Sequence, residues 1–460
     1  RLVGSEMCIR DRYIFLFCYF CNMYKGKTAA FYTLGCKLNF SETSTISRQL
    51  SDVGFTKTDF NEGADIFVIN TCSVTENANK ECKRIIRQAK KNSPDSFVVV
   101  NGCFAQLKPL MIAEMEGVDM VLGANEKFNV TNLLSDLTNK IEPEIYGCDL
   151  NNLEYNSSFS LSERTRAFLK IQDGCDYKCT YCTIPLARGA SRCDTISNIL
   201  LNAEEIAKSG RKEIVITGVN IGEYIDPITN KKFYDLIKQL DKIEGIDRYR
   251  ISSIEPNLIS KEIIEFVKTS KKFMPHFHIP LQSGSNDILG KMKRRYNTDI
   301  YKRKIKQITS SIENACIGAD IIVGFPGETD THFLETLNFI KELPISYLHV
   351  FPYSERENTE AILLKNSVRK EIRNERSRTL RILSKKLTRV YYERFLGTKQ
   401  SILFERENKD GFLYGFTENY VKVKIPYSEE IIEKVKEGDL ISFDKEGNMN
   451  AIIEALCTQQ

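Results

Sequence analysis

Three apolar runs, each closing on a cysteine and each followed by a helical pattern, restrict this chain more than any other feature. They are TAAFYTLGCKLNFSETSTISRQL with Cys36, ADIFVINTCSVTENANKECKRIIRQAKK with Cys72, and SFVVVNGCFAQLKPLMIAEM with Cys103. Unbroken apolar runs do not suit a sheet wetted on one face. Their alternation with helices predicts a parallel sheet covered on both sides, an α/β domain over 27–140. Ligands of such sheets bind beyond the carboxyl ends of the strands, where all three cysteines fall. Gly35 and Gly102 immediately precede two of them and would let the backbone turn close to a bound group. Cys82 reads instead as a structural cysteine on a helix face. Three thiolates are one short of the four that a structural zinc ion or a protein-held iron–sulfur cluster takes.

The same shortfall recurs in IQDGCDYKCTYCTIP, where Cys175, Cys179 and Cys182 are separated by three and two residues. Strand-like segments follow at Glu213–Val219, Arg248–Ile254, His276–Leu281, Gly318–Glu328 and Ser346–Ser354, with helical patterns between them. This succession predicts a parallel βα barrel, complete or partial, within 163–395, with its leading cysteines in the loop after the first strand. Zinc would want a second pair of ligands, and Cys193 alone is a poor fourth. A redox dithiol of Cys179 and Cys182 would have no use for Cys175. The segment 397–456 alternates apolar and polar residues around turns such as NKDG and KEGN, and predicts a small antiparallel β-barrel.

Composition bounds the setting. At 460 residues, 42% hydrophobic and 27% charged, the chain reads as a globular protein of two to four domains. Its fourteen cysteines, without a convincing signal peptide, point to metal or catalytic thiolates in a reducing compartment, the cytoplasm. The opening RLVGSEMCIRDR resembles a translated library adapter, and YIFLFCYFC is too short to span a bilayer. Residues 1–22 are therefore expected to be artefact, with Met23 as the natural start and no membrane partner.

Taken together, TLGCKLN, INTCSVT and NGCFAQ in the first domain and GCDYKCTYC, LQSGS, IVGFPGET and HVFPYS in the second resemble the methylthiotransferases among the radical S-adenosylmethionine enzymes. The resemblance implies two four-iron clusters: an auxiliary one on Cys36, Cys72 and Cys103, and a radical one on Cys175, Cys179 and Cys182 whose open iron binds S-adenosylmethionine. It further implies cofactor contacts from Thr217, Gly218 and Val219 and from Ser252, Glu255 and Gln282. His276 and His278 read as satisfied core or rim histidines. The implied reaction transfers a methylthio group, with a 5′-deoxyadenosyl radical taking the substrate hydrogen. An electron donor such as flavodoxin or ferredoxin is implied, and the sulfur donor is left open.

GCKLN at Gly35–Asn39 resembles the branch acting on N6-threonylcarbamoyladenosine 37 of transfer RNA. Isopentenyladenosine 37 and an aspartate of a ribosomal protein are the alternative substrates. An iron–sulfur electron carrier or an RNA-binding protein is the non-enzymatic alternative. RNA would meet a basic amphipathic helix at Val368–Phe395, which carries ten Lys and Arg against three Asp and Glu between Arg369 and Arg394, together with KMKRR at Lys291–Arg295. The C-terminal segment resembles the RNA-binding TRAM domain, yet 397–456 holds eight basic and twelve acidic residues. Phe412, Tyr414, Phe416 and Tyr420 are its candidates for stacking on bases.

Overall fold

A computed structural model of the chain describes residues 23–453 apart from 74, 75, 135, 136, 139, 141, 148, 151, 152, 162 and 163. The expected artefact at 1–22, with its Tyr13–Cys21 run, and residues 454–456 of the expected C-terminal barrel lie outside the described residues. The chain forms two compact units. The first takes the described residues up to Ser160 together with Leu186–Gly189, and the second takes the remainder.

In the first unit six strands, β1 (Thr28–Thr33), β2 (Thr56–Lys57), β3 (Ile66–Thr71), β4 (Phe97–Gly102), β5 (Met120–Leu122) and β6 (Glu144–Tyr146), line up in the order β2-β1-β3-β4-β5-β6. Every pairing is parallel. The apolar runs have the predicted cause. Phe67, Ile69, Val98 and Val100 pack into one cluster, while Ile66, Val68, Phe97 and Val99 pack into another on the opposite face. Successive side chains therefore find a core on either side, which is why no polar alternation marks these strands. Helix α1 (Lys37–Asp52) starts at Cys36, and α2 (Cys103–Leu107) starts at Cys103 itself.

The second unit carries six parallel strands, β7 (Arg166–Lys170), β8 (Glu213–Thr217), β9 (Arg248–Ile251), β10 (His276–His278), β11 (Cys316–Val323) and β12 (Tyr347–Pro352). They are neighbours in that order within two sheets, β7-β8-β9 and β10-β11-β12. Isolated bridges Tyr249↔Phe273 and Ser253↔His278 join the sheets. The result is a partial barrel, the lesser of the two predicted forms. Its crossover helices begin where side-chain oxygens of Thr195, Ser260, Asn297 and Thr329 accept a backbone N–H of the first turn.

The last five strands, β13 (Lys399–Lys409), β14 (Phe412–Thr417), β15 (Lys422–Pro426), β16 (Val435–Phe443) and β17 (Met449–Ile452), close into a barrel in the order β13-β14-β15-β17-β16. One feature departs from the antiparallel expectation: β15 and β17 run parallel, with Val423 opposite Met449. This closed barrel sits on the amino ends of the partial barrel. Arg166, the first residue of β7, pairs with Glu405, and Arg248, the first of β9, donates to the Phe416 carbonyl at 3.1 Å and to Ser401 Oγ at 2.9 Å. Arg250 donates to the carbonyls of Thr417 and Glu418 at 2.8 and 2.9 Å. His276, the first residue of β10, stacks on Tyr420 with 4.3 Å between ring centroids and is bonded through Nε2 to Tyr347, so it is the core histidine expected. Tyr420 and Phe416, two of the expected base-stacking aromatics, are therefore spent inside the unit.

Candidate active site

In the first unit Cys36, Cys72 and Cys103 follow β1, β3 and β4, three adjacent strands, at their carboxyl ends. Gly35 has a φ of +97°, and a Cβ there would lie 2.6 Å from Cys72 Cβ and 2.7 Å from its Sγ. Gly102, at φ +95°, presses on Asn70 and Thr71 in the same way. Both glycines thus allow a close approach, here to protein atoms at the neighbouring strand end. Beneath the trio, Asn39 Nδ2 donates to the carbonyls of Leu34 and Thr71 at 2.9 Å, tying the Cys36 turn to the end of β3. Glu42 is fully buried, and receives Lys127 Nζ at 2.6 Å and Arg188 at 2.8 and 3.2 Å. Two cations on one carboxylate leave a net positive charge next to the cysteines. Burial pushes the Cys103 thiol up, and Arg188 and Lys127 pull it the other way.

In the second unit Cys175, Cys179 and Cys182 occupy the loop after β7. Gln172 organises its start: its Oε1 accepts the N–H groups of Val219 and Asn220 at 2.9 and 2.8 Å, while its Nε2 donates to Gly174 O and Ser191 Oγ at 2.7 and 2.9 Å. Gly218 is required by this packing, since a Cβ would stand 3.0 Å from both Gln172 oxygens. Arg294 reaches the middle cysteine, donating to Cys179 Sγ at 3.1 Å and to Tyr181 OH at 3.3 Å, and pairs with Glu255. Burial raises the Glu255 carboxyl, and Arg294 offsets part of that.

The expected cofactor residues divide accordingly. Thr217 ends β8 and Gly218 packs on Gln172. Glu255 is coupled to Cys179 through Arg294. Ser252 Oγ is buried without a hydrogen-bond partner among the described residues, an orphan that a bound ligand would satisfy. Gln282 stands apart from these, at φ +65°, its N–H on the Asp320 carbonyl at 2.8 Å. His278 is bonded to Asp320 at 2.8 Å.

All-cysteine donor sets suit iron–sulfur clusters. Among the described residues the His, Cys, Asp and Glu ligand atoms that lie within 4.8 Å of one another in threes are those of His278, Asp320 and His349. Both cysteine trios are set wider than that. A tetrahedral zinc ion with bonds of about 2.3 Å needs its sulfurs roughly 3.8 Å apart, whereas a four-iron cluster spans more. Burial also pushes the Cys175 thiol up to about 12 and that of Cys182 to about 11, so these sulfurs become thiolates when a metal cation meets them.

Several of these groups escaped the sequence reading. Arg294 belongs to KMKRR, which was expected to face RNA. Arg294 is instead buried on Cys179, while Lys291, Lys293 and Arg295 stay exposed, Lys291 paired with Asp287, Lys293 with Glu360, and Arg295 over the Tyr177 ring at 3.9 Å. The basic helix, α11 (Lys370–Glu393), is also less free than its composition: Arg373 is held by Glu355, and Arg376 by Glu328 and Asp330. Arg369, Lys370, Arg378, Lys385 and Lys386 remain exposed.

Comparison with known proteins extends the picture. Residues 28–123 match the uncharacterized protein family UPF0004, and residues 169–340 match the Radical SAM superfamily. The threonylcarbamoyladenosine tRNA methylthiotransferase MtaB of Bacillus subtilis (strain 168) is 36% identical over 416 residues, 89% of this chain and 92% of that one. The protein of the same description from Aquifex aeolicus (strain VF5) is 36% identical, covering 88% and 98%. A tRNA-2-methylthio-N(6)-dimethylallyladenosine synthase of Natranaerobius thermophilus is 33% identical, covering 88% and 93%. Among solved structures, the radical S-adenosylmethionine methyltransferase TsrM of Kitasatospora setae aligns with a TM-score of 0.54 over 73% of this chain and 77% of that one, at 14% identity, a likeness of fold alone. Among the described residues no helix is long and apolar enough to cross a membrane.

Proposed function

The chain belongs to the radical S-adenosylmethionine methylthiotransferase family, and from that premise we propose that it replaces the C2 hydrogen of N6-threonylcarbamoyladenosine 37 in transfer RNA by a methylthio group. The observation that carries the substrate is the 36% identity, over 89% of the chain, to a threonylcarbamoyladenosine tRNA methylthiotransferase. Cys175, Cys179 and Cys182 hold the radical cluster in this reading, and Cys36, Cys72 and Cys103 the auxiliary one. When bound, the clusters and S-adenosylmethionine supply one-electron cleavage of a carbon–sulfur bond, and with it hydrogen abstraction from a carbon that acid and base cannot activate.

The remaining work falls to the chain's own side chains. Arg294 fixes Cys179 and neutralises the largely buried Glu255. The Ser252 hydroxyl is available to the cofactor, as are the strand-end groups of Thr217 and Gly218. Glu255 and Gln282 complete the cofactor set. Arg188 and Lys127 supply positive charge to the buried Cys103. For the RNA, the exposed cations of α11 form one footprint. Phe412 and Tyr414, with Lys424 and Lys422 over their rings at 4.0 and 4.5 Å, form a second on the closed barrel. Part of that barrel's acidic excess is turned inward, where Glu405 meets Arg166 and Glu433 meets Arg211. An external one-electron donor of the flavodoxin or ferredoxin class serves the reaction, in the reducing cytoplasm.

The test is mass spectrometry of transfer RNA nucleosides from a deletion strain. 2-Methylthio-N6-threonylcarbamoyladenosine should disappear and return with the gene. Its persistence rejects the reading, and loss of the isopentenyl analogue instead would move the chain to the other branch.

A further inference from the structure

His278, Asp320 and His349 lie on three neighbouring parallel strands, β10, β11 and β12, and the cluster-binding roles above do not use them. Asp320 is in register with His349, and Gly318, two residues before Asp320, is in register with His278. Side chains two residues apart share a face, so all three stand together. Asp320 Oδ1 accepts from His278 Nε2 at 2.8 Å and faces His349 Nδ1 at 3.5 Å. Asp320 Oδ2 and His349 Nε2 have no hydrogen bond among the described residues. Exposure rises across the group, from 12% for His278 through 20% for Asp320 to 52% for His349.

The place of the group within the second unit matters. The Asp320 carbonyl receives the N–H groups of Leu281 and Gln282 at 3.2 and 2.8 Å. The His278 carbonyl accepts the N–H of Ile254 at 3.0 Å, next to Glu255, whose partner Arg294 donates to Cys179. The group therefore belongs to the neighbourhood of the radical cysteines. Burial alone would raise the Asp320 carboxyl, yet the two imidazoles hold it far below the usual range. It is a lasting anion that orients His349.

A metal ion is the competing occupant. Ligand atoms on one tetrahedral ion with bonds near 2.0 Å sit about 3.3 Å apart, and the 2.8 Å contact of His278 with Asp320 is a direct hydrogen bond that an ion would have to break. What the group offers instead is a pair of acceptors, a carboxylate oxygen and a ring nitrogen, on a rigid sheet. We propose that His278, Asp320 and His349 form the site that reads the N6 substituent of the target adenosine, with Asp320 Oδ2 and His349 Nε2 receiving N–H or O–H donors of a urea-bearing group such as threonylcarbamoyl. This rests on the functional reading above. An apolar isopentenyl group would strand the carboxylate without a donor, and sites built to hydrogen-bond a substrate reject analogues that lack the bond.

The experiment uses the full chain with both clusters reconstituted and three anticodon stem-loops, identical except that position 37 carries threonylcarbamoyladenosine, isopentenyladenosine or adenosine. The wild type should bind the first more tightly than the others by about tenfold or more. Asp320→Asn and His349→Phe should shrink that preference to about twofold or less, and His349→Gln, which keeps a polar atom, should retain more of it than His349→Phe. His349 is half exposed, so its variants test the site even where Asp320→Asn fails to fold. A preference that survives in His349→Phe, or equal weakening on all three loops, overturns the proposal. So does one equivalent of zinc or manganese bound to the wild type and lost from Asp320→Asn. A wild type that keeps the preference but methylthiolates none of the loops supports the site and sinks the functional reading.

Discussion

Gly35 couples a backbone angle to a metal site. Its φ of +97° disfavours any side chain, and the space a Cβ would need is occupied by Cys72. Gly35→Ala should therefore lower iron content by about four atoms per chain, the auxiliary cluster, while leaving the radical cluster's absorbance. Cys179→Ala should abolish 5′-deoxyadenosine formation. Cys72→Ala should spare it and stop sulfur insertion; chromatography of deoxyadenosine beside the methylthiolated nucleoside separates the two. Arg294→Ala leaves Glu255 buried without its cation, a loss of about 3 kcal/mol or more, and should lower both the melting temperature and the iron retained by a chain already lacking Cys72. The placement of the six cysteines after strands was legible because short spacings and strand ends are written locally. Arg294 was not: it meets Glu255 across 39 residues and Cys179 across 115, and such pairings exist once the strands are side by side. Asp320 and its two histidines were hidden for the same reason.

At the scale of the element, α11 shows what periodicity tells and what composition conceals. Its apolar stripe packs as its spacing predicts, with Leu380, Tyr391 and Phe395 buried. Its positive charge is divided, because Arg373 and Arg376 lie on the inner side and are fixed by carboxylates. A count along the sequence treats them as equal to Lys385 and Lys386, which face water. Substituting Lys385→Glu and Lys386→Glu together should weaken transfer RNA binding and reduce the slope of log affinity against log salt by about 1.5, measured by filter binding between low and moderate salt. Arg373→Ala should instead lower the melting temperature with little change in that slope. The parallel strands were readable from their apolar runs, which two-sided burial demands, and so were the six strands of the partial barrel, whereas the isolated bridges that join its two sheets were not.

For the second unit taken whole, the closed barrel caps the amino ends of the strands whose carboxyl ends carry the cysteine loop. Removing residues from Thr398 onward would uncover Arg248, Arg250, Glu213 and His276, all buried, together with the apolar cluster that Cys316, Tyr391 and Phe395 share with Ile402. The truncated chain should aggregate or melt well below the full chain by circular dichroism, before any question of RNA affinity arises. Alternating residues and turns announced this barrel in the sequence, but its docking partners did not appear there, since arginines at strand starts look like ordinary surface charge.

The manner of that docking has a consequence for drift. Arg248 and Arg250 address the peptide oxygens of Phe416, Thr417 and Glu418. A carbonyl is common to every residue type. Lineages are free to exchange the side chain of Glu418, while inserting or deleting a residue between 416 and 418 would misalign every oxygen at once. Aligned relatives should vary in letter at 418, keep the packed residues Phe416 and Thr417, and be fixed in length at this turn.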